Sequence, residues 1–164
     1  VVLGLAAFTK LFAERLMSLA GRVVTEATDG DKVLPRHVYV APGGHQLQLT
    51  VADNMQVLSV RDRRPEDRFA PSANYLLSSV AKVCGKYCLA AVLTGMGDDG
   101  REGAMEIHRA GGIVVAESEA SAVIFGMPKE VIRAGASDHV EDLDGITGLI
   151  NRHALLDEAA LQTH

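Results

Sequence analysis

The segment with the richest potential chemistry is Leu93-Thr94-Gly95-Met96-Gly97-Asp98-Asp99-Gly100. It follows an apolar run and precedes a helical pattern. In open α/β sheets, ligands and catalytic groups gather at that edge. Gly95, Gly97 and Gly100 have the spacing of a dinucleotide fingerprint, and Glu117 follows the next strand near the expected offset. Asp98 and Asp99 speak against that reading. The fingerprint attracts pyrophosphate through backbone N–H groups and a helix N-terminus, and two carboxylates repel it. The same acids suit another role. An ionised Asp at this edge can accept a hydrogen bond from a histidine and hold its tautomer, as in a Ser-His-Asp system. A plain helix cap by Asp98 or Asp99 remains open. Asp98, Asp99 and Glu102 offer too few ligands for a divalent cation.

The elements that position this turn are readable from the pattern. Residues 8–20 form an expected amphipathic helix, with Phe8, Leu11, Phe12, Leu16 and Leu19 at helical spacing and Gly21 as a stop. Arg22 to Thr28 and His37 to Ala41 read as strands, separated by turns at Asp29-Gly30-Asp31 and Pro35. Residues 46–51 and 55–60 alternate polar and apolar around Asn54, the pattern of a β-hairpin with one wet face. Residues 61–71 hold four Arg, three acids and two Pro, which predicts a solvated loop.

The second half alternates strand and helix. Ser72 is placed to cap a helix over 73–84, with Leu76, Leu77, Val80 and Val83 inward and Gly85 as stop. Cys88 to Leu93 is continuously apolar, the pattern of a strand buried on both faces. A helix over 101–110, a strand over 113–116, a helix over 128–134 led by Pro128, a short strand at His139 and a helix over 143–155 follow. The expected class is α/β, a three-layer doubly wound fold with a mostly parallel sheet and a β-hairpin insertion.

Composition sets bounds. The chain has 164 residues, 48% hydrophobic and 23% charged, which suits one domain spanning 1–164. Its formal charge of −5 argues against nucleic acid as a partner. No apolar run reaches the ~20 residues of a membrane helix, and Val1 to Phe8 lacks the basic flank of a signal peptide. Two cysteines, Cys84 and Cys88, make no disulfide framework and no zinc site, so buried thiols in a reducing cytoplasm are expected.

Several long segments resemble the catalytic domain of the chemotaxis protein-glutamate methylesterases, the CheB family. They are Phe8-Thr-Lys-Leu-Phe-Ala-Glu-Arg-Leu, Asp29-Gly-Asp-Lys-Val-Leu-Pro with His37-Val-Tyr-Val-Ala-Pro-Gly, Pro71-Ser with Leu76-Leu-Ser-Ser-Val-Ala, the Leu93 to Gly100 turn, and Glu119-Ala-Ser-Ala-Val-Ile-Phe-Gly-Met-Pro-Lys-Glu. The resemblance runs from about Phe8 to Arg152. It implies Ser-His-Asp hydrolysis of γ-glutamyl methyl esters on the cytoplasmic helices of methylated chemoreceptors, often with glutamine deamidation. It places the triad Asp on Asp99 and associates Met96 with the oxyanion region, leaving Asp98 as a solvated or capping neighbour. It implies no metal and no organic cofactor.

The match is partial at the triad. The family's Gly-Ala-Ser-Thr-Gly-Gly nucleophile turn has no counterpart here, and its histidine position falls on Leu3. No other serine sits in a sharp strand-to-helix Gly turn. His45, beside Gly43-Gly44, is the histidine nearest a family site segment, and Gln46 stands where several relatives carry histidine. By resemblance, a further βα unit of about 30 residues would carry the serine, and no receiver domain is matched. The alternatives are a non-catalytic receptor-binding relative and a dinucleotide-binding domain.

Overall fold

A computed structural model describes residues 8–161, with side chains to residue 153. Two compact units divide the chain, Val1–Val83 and Cys84–His164.

In the first unit, α1 (Thr9–Ala20) ends at Gly21, whose φ of 59° is the left-handed stop that glycine permits. The helix lies on β1 (Val24–Glu26) and β2 (Val38–Val40), which pair in parallel, Val24 opposite Val38. The face it buries differs from the one periodicity indicates. Thr9 and Ala13, one turn apart, are its buried residues, and Ala13 clusters with Val24 and Val40 while Leu16 packs alongside. Leu11 and Leu19 are exposed, at 62% and 75%. Small side chains thus face the strands, while most of the larger apolar stripe is exposed among the described residues. The strands are also shorter than the β-branched runs suggest.

β3 (His45–Ala52) and β4 (Met55–Asp62) form the expected hairpin, in antiparallel register from His45 opposite Asp62 to Ala52 opposite Met55. The two-residue turn, Asp53 and Asn54, has φ of 51° and 60°, the twist that right-handed strands need. Leu47, Leu49 and Leu58 are buried. α2 (Ala73–Cys84) starts as expected, with the Ser72 hydroxyl accepting the N–H of Tyr75 at 3.3 Å. Within α2, Ser79 Oγ accepts the N–H of Leu49 at 2.9 Å.

Residues 61–71 are more than a solvated loop. The Arg61 guanidinium forks onto Asp67 at 2.7 and 3.0 Å and lies 4.8 Å from the Tyr75 ring centroid. Asp67 also accepts the N–H of Arg64 at 2.8 Å. Gln46, 1% exposed, accepts the N–H of Ser72 at 3.0 Å and donates to the Phe69 carbonyl at 2.5 Å. The charge balance that suggested solvation is the pairing that orders the segment.

In the second unit, β5 (Leu89–Val92), β6 (Ile113–Glu117) and β7 (His139–Glu141) pair in parallel, in the order β5-β6-β7. The crossovers carry α3 (Arg101–Arg109) and α4 (Met127–Arg133), and α5 (Leu143–Leu161) closes the unit, running beyond the expected end at 155. Val114, Val115 and Ala116 of β6 are fully buried, and Val115 packs with Ile146 and Leu149 of α5. The central strand is thus covered on both faces. β5 is not, because it is the edge of this ladder: Ala90 and Val92 are buried and Ala91 is exposed. Asp138 accepts the N–H of Val114 at 2.8 Å and meets His108 Nδ1 at 3.0 Å. The class is mixed α/β with mostly parallel strand pairing and one hairpin.

Candidate active-site turn

The Leu93 to Gly100 turn leaves the carboxyl end of β5 and enters α3. Gly97 and Gly100 have φ of 87° and 90°, a conformation closed to most side chains. Asp99 is 7% exposed, and its Oδ1 accepts the N–H of Gly100 at 3.0 Å. The N-cap of α3 is Gly100, with no side-chain cap bond. Asp99 therefore stands one residue before the N-cap. Asp98 is half-buried, and its carbonyl accepts the N–H of Arg101 at 3.3 Å. Met96 is 80% exposed at the crest of the turn.

A second loop, 118–126, holds the first. The Thr94 hydroxyl accepts the N–H of Ile124 at 2.7 Å and donates to the Ile124 carbonyl at 3.2 Å. Gly95 N–H reaches the same carbonyl at 3.0 Å, and the Gly95 carbonyl takes the N–H groups of Gly126 and Met127 at 3.1 and 2.8 Å. At the end of β6, Glu117 is 2% exposed. One of its oxygens accepts the N–H of Thr94 at 2.6 Å and the other the hydroxyl of Ser121 at 3.1 Å. A carboxylate so committed is not presented to a ribose hydroxyl, and the dinucleotide reading loses its acid.

The remaining candidates belong to other elements. His45 is on β3, with Nδ1 2.9 Å from the Gly43 carbonyl and Nε2 3.3 Å from Asp62. Leu3, where the family histidine would align, lies outside the described residues. Thr9, in the matched Phe8-Thr9 segment, donates to the Glu26 carboxylate and accepts the N–H of Gly43 at 3.0 Å. Burial pushes the Cys88 thiol up, with Cys84 adding to the shift, and its S–H meets the Gly85 carbonyl at 3.1 Å. Among the described residues no group of three His, Cys, Asp or Glu could hold a metal ion, and no helix is long and apolar enough to cross a membrane.

Residue types singled out Asp98 and Asp99, the resemblance selected Asp99 and added Met96, and neither indicated the clamp. Its bonds join groups distant in sequence, those of Gly95 to residues 124–127 being purely backbone, and Gly126 before Met127-Pro128 is the sole local sign of a close approach.

The family model described as CheB methylesterase matches residues 1–150. A protein-glutamate methylesterase/protein-glutamine glutaminase of Pectobacterium atrosepticum is 44% identical over 140 residues, covering 85% of this chain and 40% of that protein. A second protein of that name, from Myxococcus xanthus, is 47% identical over 139 residues, with the same coverage. The chain thus spans about 40% of the length of these relatives. The crystal structure of the Thermotoga maritima CheB methylesterase catalytic domain superposes with a TM-score of 0.84 at 34% identity, covering 92% of this chain and 78% of that one. With the parallel ladders, the hairpin and the Asp99 turn in place, the chain belongs to the CheB methylesterase family.

Proposed function

We propose that the chain forms a methylesterase catalytic domain that hydrolyses γ-glutamyl methyl esters on the cytoplasmic helices of chemoreceptors, and deamidates glutamines there, in the cytoplasm. The observation that carries this reading is Asp99. Its carboxylate is buried beyond the carboxyl end of a parallel strand, on a turn anchored along its length by a second loop.

In the chemistry proposed, a serine Oγ attacks the ester carbonyl and passes its proton to a histidine. The C–O bond breaks, and methanol leaves with that proton. Water then cleaves the acyl-enzyme, restoring the serine and releasing the glutamate side chain. Asp99 holds the histidine in the tautomer that accepts the serine proton and stabilises the imidazolium that forms. The turn at Met96 lies beside the developing oxyanion.

The test is methanol release from methylated receptor by the full-length protein. Asp99→Asn is expected to lower kcat by about 10⁴, the cost of a wrongly held tautomer, with the circular dichroism spectrum retained. An Asp99→Asn protein as active as the parent sinks the assignment. A parent that binds methylated receptor and releases no methanol favours the receptor-binding reading.

A further inference from the structure

Glu117 has no part in the chemistry above, yet it is among the most deeply buried acids described. Placing a carboxylate there is costly unless hydrogen bonds compensate it. Both of its oxygens are engaged, and each bond runs to one of the two loops at the sheet edge. One takes the N–H of Thr94, the first polar residue after β5, at 2.6 Å. The other takes the hydroxyl of Ser121, at the base of the 118–126 loop, at 3.1 Å. A hydrogen bond to an ionised acceptor is shorter and about twice as strong as a neutral one.

The geometry points to Glu117 as a positioning residue for the turn that carries Asp99, a function that rests on the catalytic reading of that turn. The turn needs such a device. It contains three glycines, at 95, 97 and 100, and glycine gives the chain more freedom than any other residue. Asp99 is five residues from Thr94, so a drift at Thr94 is carried to the carboxylate that must meet the histidine. Glu117 is the last residue of β6, whose preceding residues Val114, Val115 and Ala116 are fully buried. It therefore ties a glycine-rich turn to the most deeply buried strand of its unit. The Thr94–Ile124 and Gly95–Gly126 bonds join loop to loop, and Glu117 joins both loops to the sheet.

The experiment uses the full-length protein and methylated receptor. Glu117→Ala is expected to lower kcat by about 10²-fold, the scale of a 1 Å misplacement, with KM within about twofold of the parent. Glu117→Gln keeps an acceptor for Thr94 and is expected to recover most of that loss. Parent-like kcat in folded Glu117→Ala overturns the proposal. So does a KM that rises with the fall in kcat, or a Glu117→Gln protein no better than Glu117→Ala. Should Glu117→Ala fail to fold, Ser121→Ala and Glu117→Gln decide: each must lower kcat several-fold with KM held, and parent-like kcat in both overturns it. A parent that releases no methanol removes the catalytic reading alone. The tether is then read from Thr94 amide exchange, slow in the parent and at least about tenfold faster in Glu117→Ala, with equal rates overturning it.

Discussion

Gly95 and Gly126 are in backbone contact. A Cβ placed on Gly126 would stand 2.5 Å from the Gly95 carbonyl oxygen, 3.1 Å from the Gly97 nitrogen and 3.2 Å from the Met96 Cα. A Cβ on Gly95 would meet the side chain of Met127, sulfur first. The two glycines face obstacles of different kinds. At Gly126 the obstacle is main chain, and at Gly95 it is the end of a flexible thioether.

Gly126→Ala is therefore expected to be the costlier change. Forcing a methyl against backbone costs about 2–3 kcal/mol, a Tm lower by roughly 4–10 °C. Gly95→Ala needs a new Met127 rotamer and is expected to cost about 1 kcal/mol or less. Differential scanning calorimetry of the two variants gives the comparison. Equal losses would mean that the loops do not approach as described.

Gln46 spans the base of the charged loop. Gln46→Ala leaves the Ser72 N–H and the Phe69 carbonyl without their partner and is expected to cost about 2–4 kcal/mol by urea denaturation. Gln46→Glu should fare no better, since a carboxylate cannot donate to Phe69 and would be buried. Both variants should be cleaved sooner by protease between residues 63 and 70.

The Arg61 fork, with the Arg64 N–H, holds the Asp67 carboxyl well below the usual carboxylate range. A group whose folded pKa is depressed adds stability above its ordinary value, near 4, and loses it as pH falls below that. Asp67→Asn is expected to unfold at lower urea than the parent at pH 7. The gap should narrow progressively below about pH 4. A gap independent of pH would assign the loss to packing rather than to charge.

Cys88 should be a sluggish nucleophile, because burial raises its thiol pKa. At pH 8, iodoacetamide is expected to label it at least about tenfold more slowly in the native protein than in urea. Peptide mass spectrometry follows the rate. Cys84 and Cys88 are half-buried rather than fully buried as expected, and rapid native labelling would show that this partial burial does not slow the Cys88 thiol.

Residue patterns reveal what is local in this fold. The hairpin alternation gives both strands and their turn, because register follows from a period of two. The Ser72 cap and the Gly stops of α1 and α2 are equally readable. The buried face of α1 is not. Thr9 and Ala13 are its buried residues, a face that hydrophobicity does not encode. The charged loop misleads for a related reason: composition counts Arg61 and Asp67 but cannot pair them. In the turn, the Asp98-Asp99 pair is legible because carboxylates among glycines are chemically conspicuous, whereas the choice of Asp99 comes from the family resemblance. The clamp is silent because its bonding groups lie far apart in the sequence.

The double-loop clamp also constrains how this domain can be recombined. Residues 93–100 and 117–127 interlock through backbone atoms, so they behave as one cassette. A hybrid of two relatives that draws both segments from the same parent keeps the fit. One that draws them from different parents must match two glycines, a threonine and a buried glutamate across a junction that chain order does not reveal.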